Sequence, residues 1–207
     1  ALQSQINPHF LYNTLDSIIW MAEGRKYEEV VLMTASLARL LRQSISNEDE
    51  VVPLAREVEY AKGYLTIQKM RYKDKLEFEI DVEPSILNIP LIKLVLQPII
   101  ENAIYHGLKY KESKGLLQVK GFMKDGNAVL QVIDNGVGMD EETLSHIYDK
   151  HKVNYHSNGV GGYNVQKRLK LYYGEYYLYI IIGIGIIVLI SLLVLIIKKK
   201  KKRTILE

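Results

Sequence analysis

Cysteine is absent from all 207 residues. That excludes disulfides and thiolate chemistry, and it fits a reducing compartment. A cationic body is absent too. The formal net charge is +3, from 27 Lys and Arg against 24 Asp and Glu, but six of the cations form K-K-K-K-K-R at 198–203. Without them 21 cations face 24 anions, a balance of −3. Nucleic-acid binding by the body is excluded on charge. The opening A-L-Q-S-Q-I has neither a signal-peptide pattern nor an initiator Met, and the chain reads as a fragment of something longer. What is present, 48% apolar and 25% charged residues, suffices for one well-packed domain with a helical appendage.

The first part of the chain has helical spacing. Leu11, Leu15, Ile18 and Ala22 share a face within 1–23. Asn7-Pro8 suits an N-cap followed by N1, or else a kink in a longer helix. In both cases His9 falls in a first turn, where free N–H groups favour an anion. Gly24 ends this segment, and Val30, Leu37, Leu40 and Leu41 predict a second helix over 28–45. Two such helices form an antiparallel hairpin of the kind that dimerises into a four-helix bundle. A polar loop at 47–50 precedes a third helix over 54–72.

From residue 76 the pattern changes. L-E-F-E-I-D-V alternates as a half-buried strand. Pro90 starts a helix over 91–107, and two strands, 116–123 and 128–134, flank a turn at Asp125-Gly126-Asn127. Residues 140–158 are polar and loop-rich, and N-G-V-G-G-Y-N-V (158–165) is a glycine loop opening a helix to about Tyr173. This mixture predicts an α+β fold with helices on one face of a sheet.

Three motifs carry chemistry. In Q-P-I-I-E-N-A-I-Y-H-G (97–107), Glu101 and Asn102 sit within an apolar helix. There they need a polar partner. Hydrated Mg²⁺ with nucleotide phosphates is one such partner; a Glu-Asn pair capping a neighbouring loop is the alternative. D-N-G-V-G-M (134–139) follows a strand, so Asp134 can accept from an amino group such as adenine N6, while Gly136 and Gly138 allow close backbone approach. It also reads as an ordinary Asp-Asn-Gly turn. The third motif, Gly159, Gly161 and Gly162 before a helix, suits a phosphate cradle.

Taken in this order, the motifs resemble the GHKL (Bergerat) nucleotide-binding fold of histidine kinases, gyrase, Hsp90 and MutL. I-N-P-H-F-L-Y-N-T-L-D-S-I (6–18), I-Q-K-M-R-Y, and N-V-Q-K-R-L-K-L-Y-Y-G are similar to the LytS/YesM-like bacterial sensor histidine kinases, over about residues 1–175. The resemblance implies a helical dimerisation and phosphoacceptor hairpin (1–74) followed by a GHKL α/β sandwich (75–175). It implies ATP and Mg²⁺ as cofactors, His9 as phosphoacceptor, Asn102 as Mg²⁺ ligand, Asp134, Gly136 and Gly138 as first glycine box, and Gly159 and Gly161 as second. It also implies a homodimer, a cognate response regulator, and a place at the cytoplasmic side of the bacterial membrane through a missing N-terminal sensor.

Neutral imidazole is the nucleophile in such a transfer, and phosphoryl transfer needs positioning and charge neutralisation above all. Other histidine kinases hold a carboxylate next to the acceptor; here that position is Phe10, and Asn13, one turn on, is the candidate to hold the imidazole proton. Gyrase-like and MutL-like ATPases place a Glu four residues before the N-box Asn. Pro98 stands there in this chain, which favours transfer over hydrolysis and leaves the role of Glu101 open. His106 and Lys109 either contact phosphates or are plain surface residues. His146, His151 and His156 read as solvated lid residues before metal ligands. A degenerate ATP-binding or docking module without kinase activity, and a GHKL ATPase, are the rival functions.

Residues 176–207 do not fit. Residues 176–197 are uncharged and almost wholly apolar, long enough to cross a bilayer. Gly183-Ile184-Gly185 reads as a remnant of a third glycine box whose Thr is replaced by Ile186. Degenerate sheet strands and a membrane helix are both open; the uniform apolarity prefers the helix, although the lysine run would then lie outside, against the positive-inside rule.

Overall fold

A computed structural model describes residues 8–45, 50–139, 160–173, 177–184 and 191–198. Pro8, with no N–H to lose, opens helix α1 (Pro8–Glu23). The Gly24 N–H closes it onto the Trp20 carbonyl at 3.0 Å. Helix α2 (Tyr27–Ile45) returns alongside, with Glu28 and Glu29 in its first turn and Arg42 in its last, both signs suited to the helix dipole. Met33, Leu37 and Leu40 of α2 are buried. Short strand β1 (Val51–Pro53) leads into helix α3 (Leu54–Tyr72).

The sheet uses β2 (Leu76–Val82), β4 (Gly115–Lys124), β5 (Asn127–Asp134), β7 (Ser191–Lys198) and β6 (Tyr177–Ile184), in that spatial order. β2 and β4 are parallel; the other neighbours are antiparallel. β4 and β5 are joined by Asp125 and Gly126, both at positive φ (50° and 76°), the two-residue turn whose twist matches a hairpin. A second, two-stranded sheet pairs β1 with β3 (Pro90–Ile92). Helix α4 (Leu96–Asn102) runs into a wider π-type turn, Ala103–Leu108, where the Lys109 N–H reaches the Ile104 carbonyl at 2.9 Å. Helix α5 (Val160–Tyr173) completes the helical layer.

The core lies between the sheet and α3, α4 and α5. Leu65, Ile67, Leu96, Ile100, Leu117, Val119, Leu130 and Leu169 are all buried there. The hairpin joins the same core through Phe10, 2% exposed, whose ring centroid lies 4.8 Å from that of Tyr64 on α3.

Two expectations are corrected. The helix predicted to start at 91 starts at Leu96, because Pro90–Ile92 pairs with β1 in a strand. The preference for a membrane helix over 176–197 is overturned in favour of the strand reading. Tyr177–Ile184 and Ser191–Lys198 are β6 and β7, paired from Ile184↔Ser191 back to Tyr177↔Ile197, and β7 also pairs β5 along its length. A continuous apolar run lacks the period that separates a buried strand from a buried helix, whereas its many β-branched residues favour strands and its central glycines disfavour a helix. Among the described residues no helix is long and apolar enough to cross a membrane.

Candidate functional site

β5 delivers Asp134 to the end of the sheet, where it is 4% exposed. Its Oδ1 accepts the Gly136 N–H at 2.9 Å. The chain then lies directly on the turn after α4. A Cβ at Gly136 would meet the Gly107 backbone at 2.4 Å, and one at Gly107 would meet Asp134 Oδ1 at 2.7 Å. Only glycine fits at either place. The Val137 N–H donates to the Gly107 carbonyl at 3.0 Å, and Gly138 takes φ 74°. Asn135 fixes this loop to β4, its Oδ1 accepting the Leu116 N–H at 2.8 Å. Gly107 was legible as a motif residue but not as a contact, because the two stretches that meet are about thirty residues apart in sequence.

On α4, Glu101 and Asn102 are partly buried. Gln97 Nε2 donates to Glu101 Oε1 at 2.8 Å, so this carboxylate is held from its own helix rather than capping a loop. Burial raises the Glu101 pKa above its ordinary value, with the Gln97 bond opposing. His106 is half-buried; burial, then the Lys109 charge, lowers its pKa. It is therefore a neutral donor or acceptor at pH 7. Lys109 is exposed, its Nζ 5.5 Å from the Tyr110 ring centroid.

A second group lies on α1. His9 is exposed in the first turn and Asn13 is one turn on. Asn13 Nδ2 lies 3.0 Å from His9 Nδ1 and 3.1 Å from Nε2. The Asn13 amide thus lies within hydrogen-bond reach of the imidazole, and the tautomer of the ring decides which group donates. Phe10 points the other way into the core, and Thr14 Oγ1 donates to the Phe10 carbonyl at 2.7 Å. Consecutive residues of α1 thereby carry an exposed imidazole and a buried anchor.

Sequence reasoning missed a third group. Glu57 on α3 is 7% exposed and accepts the N–H groups of Leu94, Val95 and Leu96 at 2.8, 2.8 and 3.0 Å. Burial raises its pKa, opposed by those three bonds and by the Arg168 charge. Arg168 on α5 donates to the carbonyls of Lys93 at 2.8 Å and Leu94 at 3.3 Å. The signal was available: Glu57, Ala61, Tyr64 and Gln68 share a helical face, so two polar residues break an apolar stripe.

Gly161 lies in the first turn of α5. Gly159, Gly185, Asn7, His146, His151 and His156 lie outside the described residues.

These arrangements have counterparts among known proteins. The Histidine kinase family matches residues 1–76. The Histidine kinase-, DNA gyrase B-, and HSP90-like ATPase family matches residues 88–194, more than half of the chain. The chain belongs to the Histidine kinase-, DNA gyrase B-, and HSP90-like ATPase family. Sensor histidine kinase YesM of Bacillus subtilis is 36% identical over 177 residues, 86% of this chain and 29% of YesM. Sensor protein LytS of Oceanobacillus iheyensis is 34% identical over 179 residues, 84% of this chain and 30% of LytS. The chain thus spans under a third of the length of these curated relatives. Among solved structures, the histidine kinase domain of the blue-light activated histidine kinase from Erythrobacter litoralis EL346 matches 82% of this chain and 72% of its own, with a TM-score of 0.50 and 12% identity, a likeness of fold. The catalytic domain of the histidine kinase ThkA matches 73% of this chain and 100% of its own, at 0.50 and 13%. The α+β histidine kinase fold expected from the sequence is therefore the fold of this chain, and an ATPase domain of this family is an ATP-binding one.

Proposed function

We propose that the chain is the phosphoacceptor and catalytic core of an ATP-dependent protein-histidine kinase acting in two-component signalling. The observation that carries this is the seat formed by Asp134, Gly136 and Gly107. A buried carboxylate at a strand end, flanked by two positions that admit no Cβ, suits a planar amino-bearing base laid close against backbone. Asn102 lies on the adjoining helix and is the residue that would hold Mg²⁺. Gly161, in the first turn of α5, would present N–H groups to phosphate, with His106 and Lys109 as further polar neighbours. When bound, Mg-ATP supplies the transferable phosphoryl group.

The remaining chemistry belongs to this chain. With Mg-ATP bound, His9 would attack the γ-phosphorus as neutral imidazole through one ring nitrogen; as the N–P bond forms, the bond to the β-phosphate oxygen breaks, ADP leaves with that electron pair, and the ring is cationic until the proton on its other nitrogen is lost. The Asn13 amide, turned by half a rotation, presents its carbonyl to the other ring N–H and spreads that charge. From His9 the phosphoryl group passes to a response regulator.

The outer face of the hairpin supports a homodimer. Tyr12, Leu15 and Ile19 fall on one face of α1 and are exposed, as are Trp20, Val31 and Leu32. An apolar patch of this kind marks a contact surface, and a second hairpin would cover it as a four-helix bundle. We assign 1–74 to the phosphoacceptor region and the sandwich from 75 onward to ATP, with α3 serving both through Tyr64, which packs on Phe10, and Glu57. The core would lie at the cytoplasmic side of the bacterial membrane, below a sensor.

The test is incubation with γ-labelled Mg-ATP followed by acid. Label that is retained by the chain in base and lost in acid is expected, since a phosphoramidate is acid-labile. Acid-stable label, or none from a chain that binds ATP, overturns the assignment.

A further inference from the structure

The segment between β3 and α4 is gripped on both kinds of backbone group. Helix α4 has no side-chain cap of its own, so its first N–H groups need outside acceptors. Glu57, some forty residues earlier on α3, accepts three consecutive N–H groups, those of Leu94, Val95 and Leu96. Arg168, on α5, donates to the carbonyls of Lys93 and Leu94. The Lys93 N–H is also held, by the Glu50 carbonyl at 3.0 Å. Leu94 sits at φ 60° without being glycine. A backbone in that region persists where its surroundings over-determine it, and here a buried carboxylate and a guanidinium do so from opposite elements.

The two elements matter for function. α4 carries Asn102 at its C-terminal end, and α5 opens at the second glycine box. We infer that Glu57 and Arg168 form a clamp that fixes the helix of the N box to the helix of the glycine box, making both positioning residues for the nucleotide. The inference rests on the ATP reading above. The clamp touches neither nucleotide nor acceptor; it works through backbone. Arg168 suits the task because its fork reaches two successive carbonyls, which a lysine ammonium does only as a single point. The coupling is local and physical, a chain of hydrogen bonds from α5 through the 93–96 backbone to α4.

The test uses the whole chain with Arg168→Ala, Arg168→Lys and Glu57→Gln, each checked for cooperative urea unfolding. ATP affinity is measured by calorimetry, and amide hydrogen exchange is followed at Leu94–Leu96 with and without ATP. Arg168→Ala is expected to weaken ATP binding about tenfold, with Arg168→Lys recovering part. Exchange at Leu94–Leu96 is expected to quicken in Arg168→Ala and Glu57→Gln. ATP is expected to slow that exchange in the parent and not in Arg168→Ala; a brace that only stabilises the fold would leave this nucleotide response in place. If Arg168→Ala fails to fold, the Arg168→Lys and Glu57→Gln chains carry the same comparison. A folded Arg168 variant with the parent's ATP affinity, or parent-like exchange in the variants, overturns the clamp. A parent that binds no ATP refutes the functional reading instead, and the nucleotide-free exchange then decides the clamp alone.

Discussion

His9 and Asp134 occupy opposite surroundings. Asp134 is buried at a strand end, bonded to its own loop and pressed against Gly107. His9 stands exposed on a helix, with Asn13 beside it. The first arrangement is built by packing within the chain. On the proposed reading the second is half a site, because an acceptor would have to meet its donor and later a regulator, and a buried imidazole could meet neither. Packing accordingly fixes Phe10, the neighbour of His9, and leaves His9 itself outside. Changes at the exposed site should stop transfer without touching nucleotide affinity, and changes at the buried site should do the reverse.

The sharpest break is His9→Gln. It removes the proposed acceptor, so labelling should vanish while calorimetry returns the parent's ATP affinity. Label on the variant at the parent's level would show that the acceptor lies elsewhere. Next comes Asn13→Ala, which removes the group 3.0 Å from His9 Nδ1. We expect transfer to slow by about 10²–10⁴-fold, the range of a positioned acid–base partner, with ATP affinity unchanged. Parent-rate transfer by a folded, dimeric variant would mean that the imidazole is oriented by something else.

At the buried site the readout reverses. Asp134→Asn keeps an acceptor for the Gly136 N–H but loses the charge that a base amino group would meet, a bond of about 1.5–3 kcal/mol. ATP affinity should therefore fall roughly 10–150-fold, while His9 in the variant still labels at saturating ATP. Unchanged affinity would remove Asp134 from the nucleotide site.

The same contrast explains what could be read in the sequence. The three long helices, β2, β4 and β5 were legible because each carries its own period, and α3 matches at both ends. The Asp125-Gly126 turn was legible because positive φ restricts residue type. The β1–β3 pair was not legible: three residues carry no period, and its strands lie about forty residues apart. Residues 177–184 and 191–198 misled for a related reason, since a uniformly apolar run has composition without period. At the candidate site the motif residues were legible one by one. Their arrangement was not: no local pattern tells that Gly107 seats Gly136, or that Glu57 is the cap of a helix begun at Leu96.

The smallest effect concerns Glu101, and it asks whether burial alone separates the two regions. Glu101 is a carboxylate whose folded pKa lies above its unfolded value, chiefly through burial. Between those two values the folded chain binds more protons than the unfolded one, so stability falls as pH rises through that window. Below the ordinary carboxylate value the cost disappears. Glu101→Gln removes the charge and keeps the shape. Its new amide can also donate to Gln97 Oε1, which is buried without a hydrogen-bond partner among the described residues. Urea unfolding should show a gain in stability at pH 7 that shrinks towards pH 4 as the parent's carboxylate becomes neutral. A Glu101→Gln gain of equal size at both pH values would assign the effect to packing rather than charge; a loss at pH 7 would show that the carboxylate is held by a cation and is part of the site.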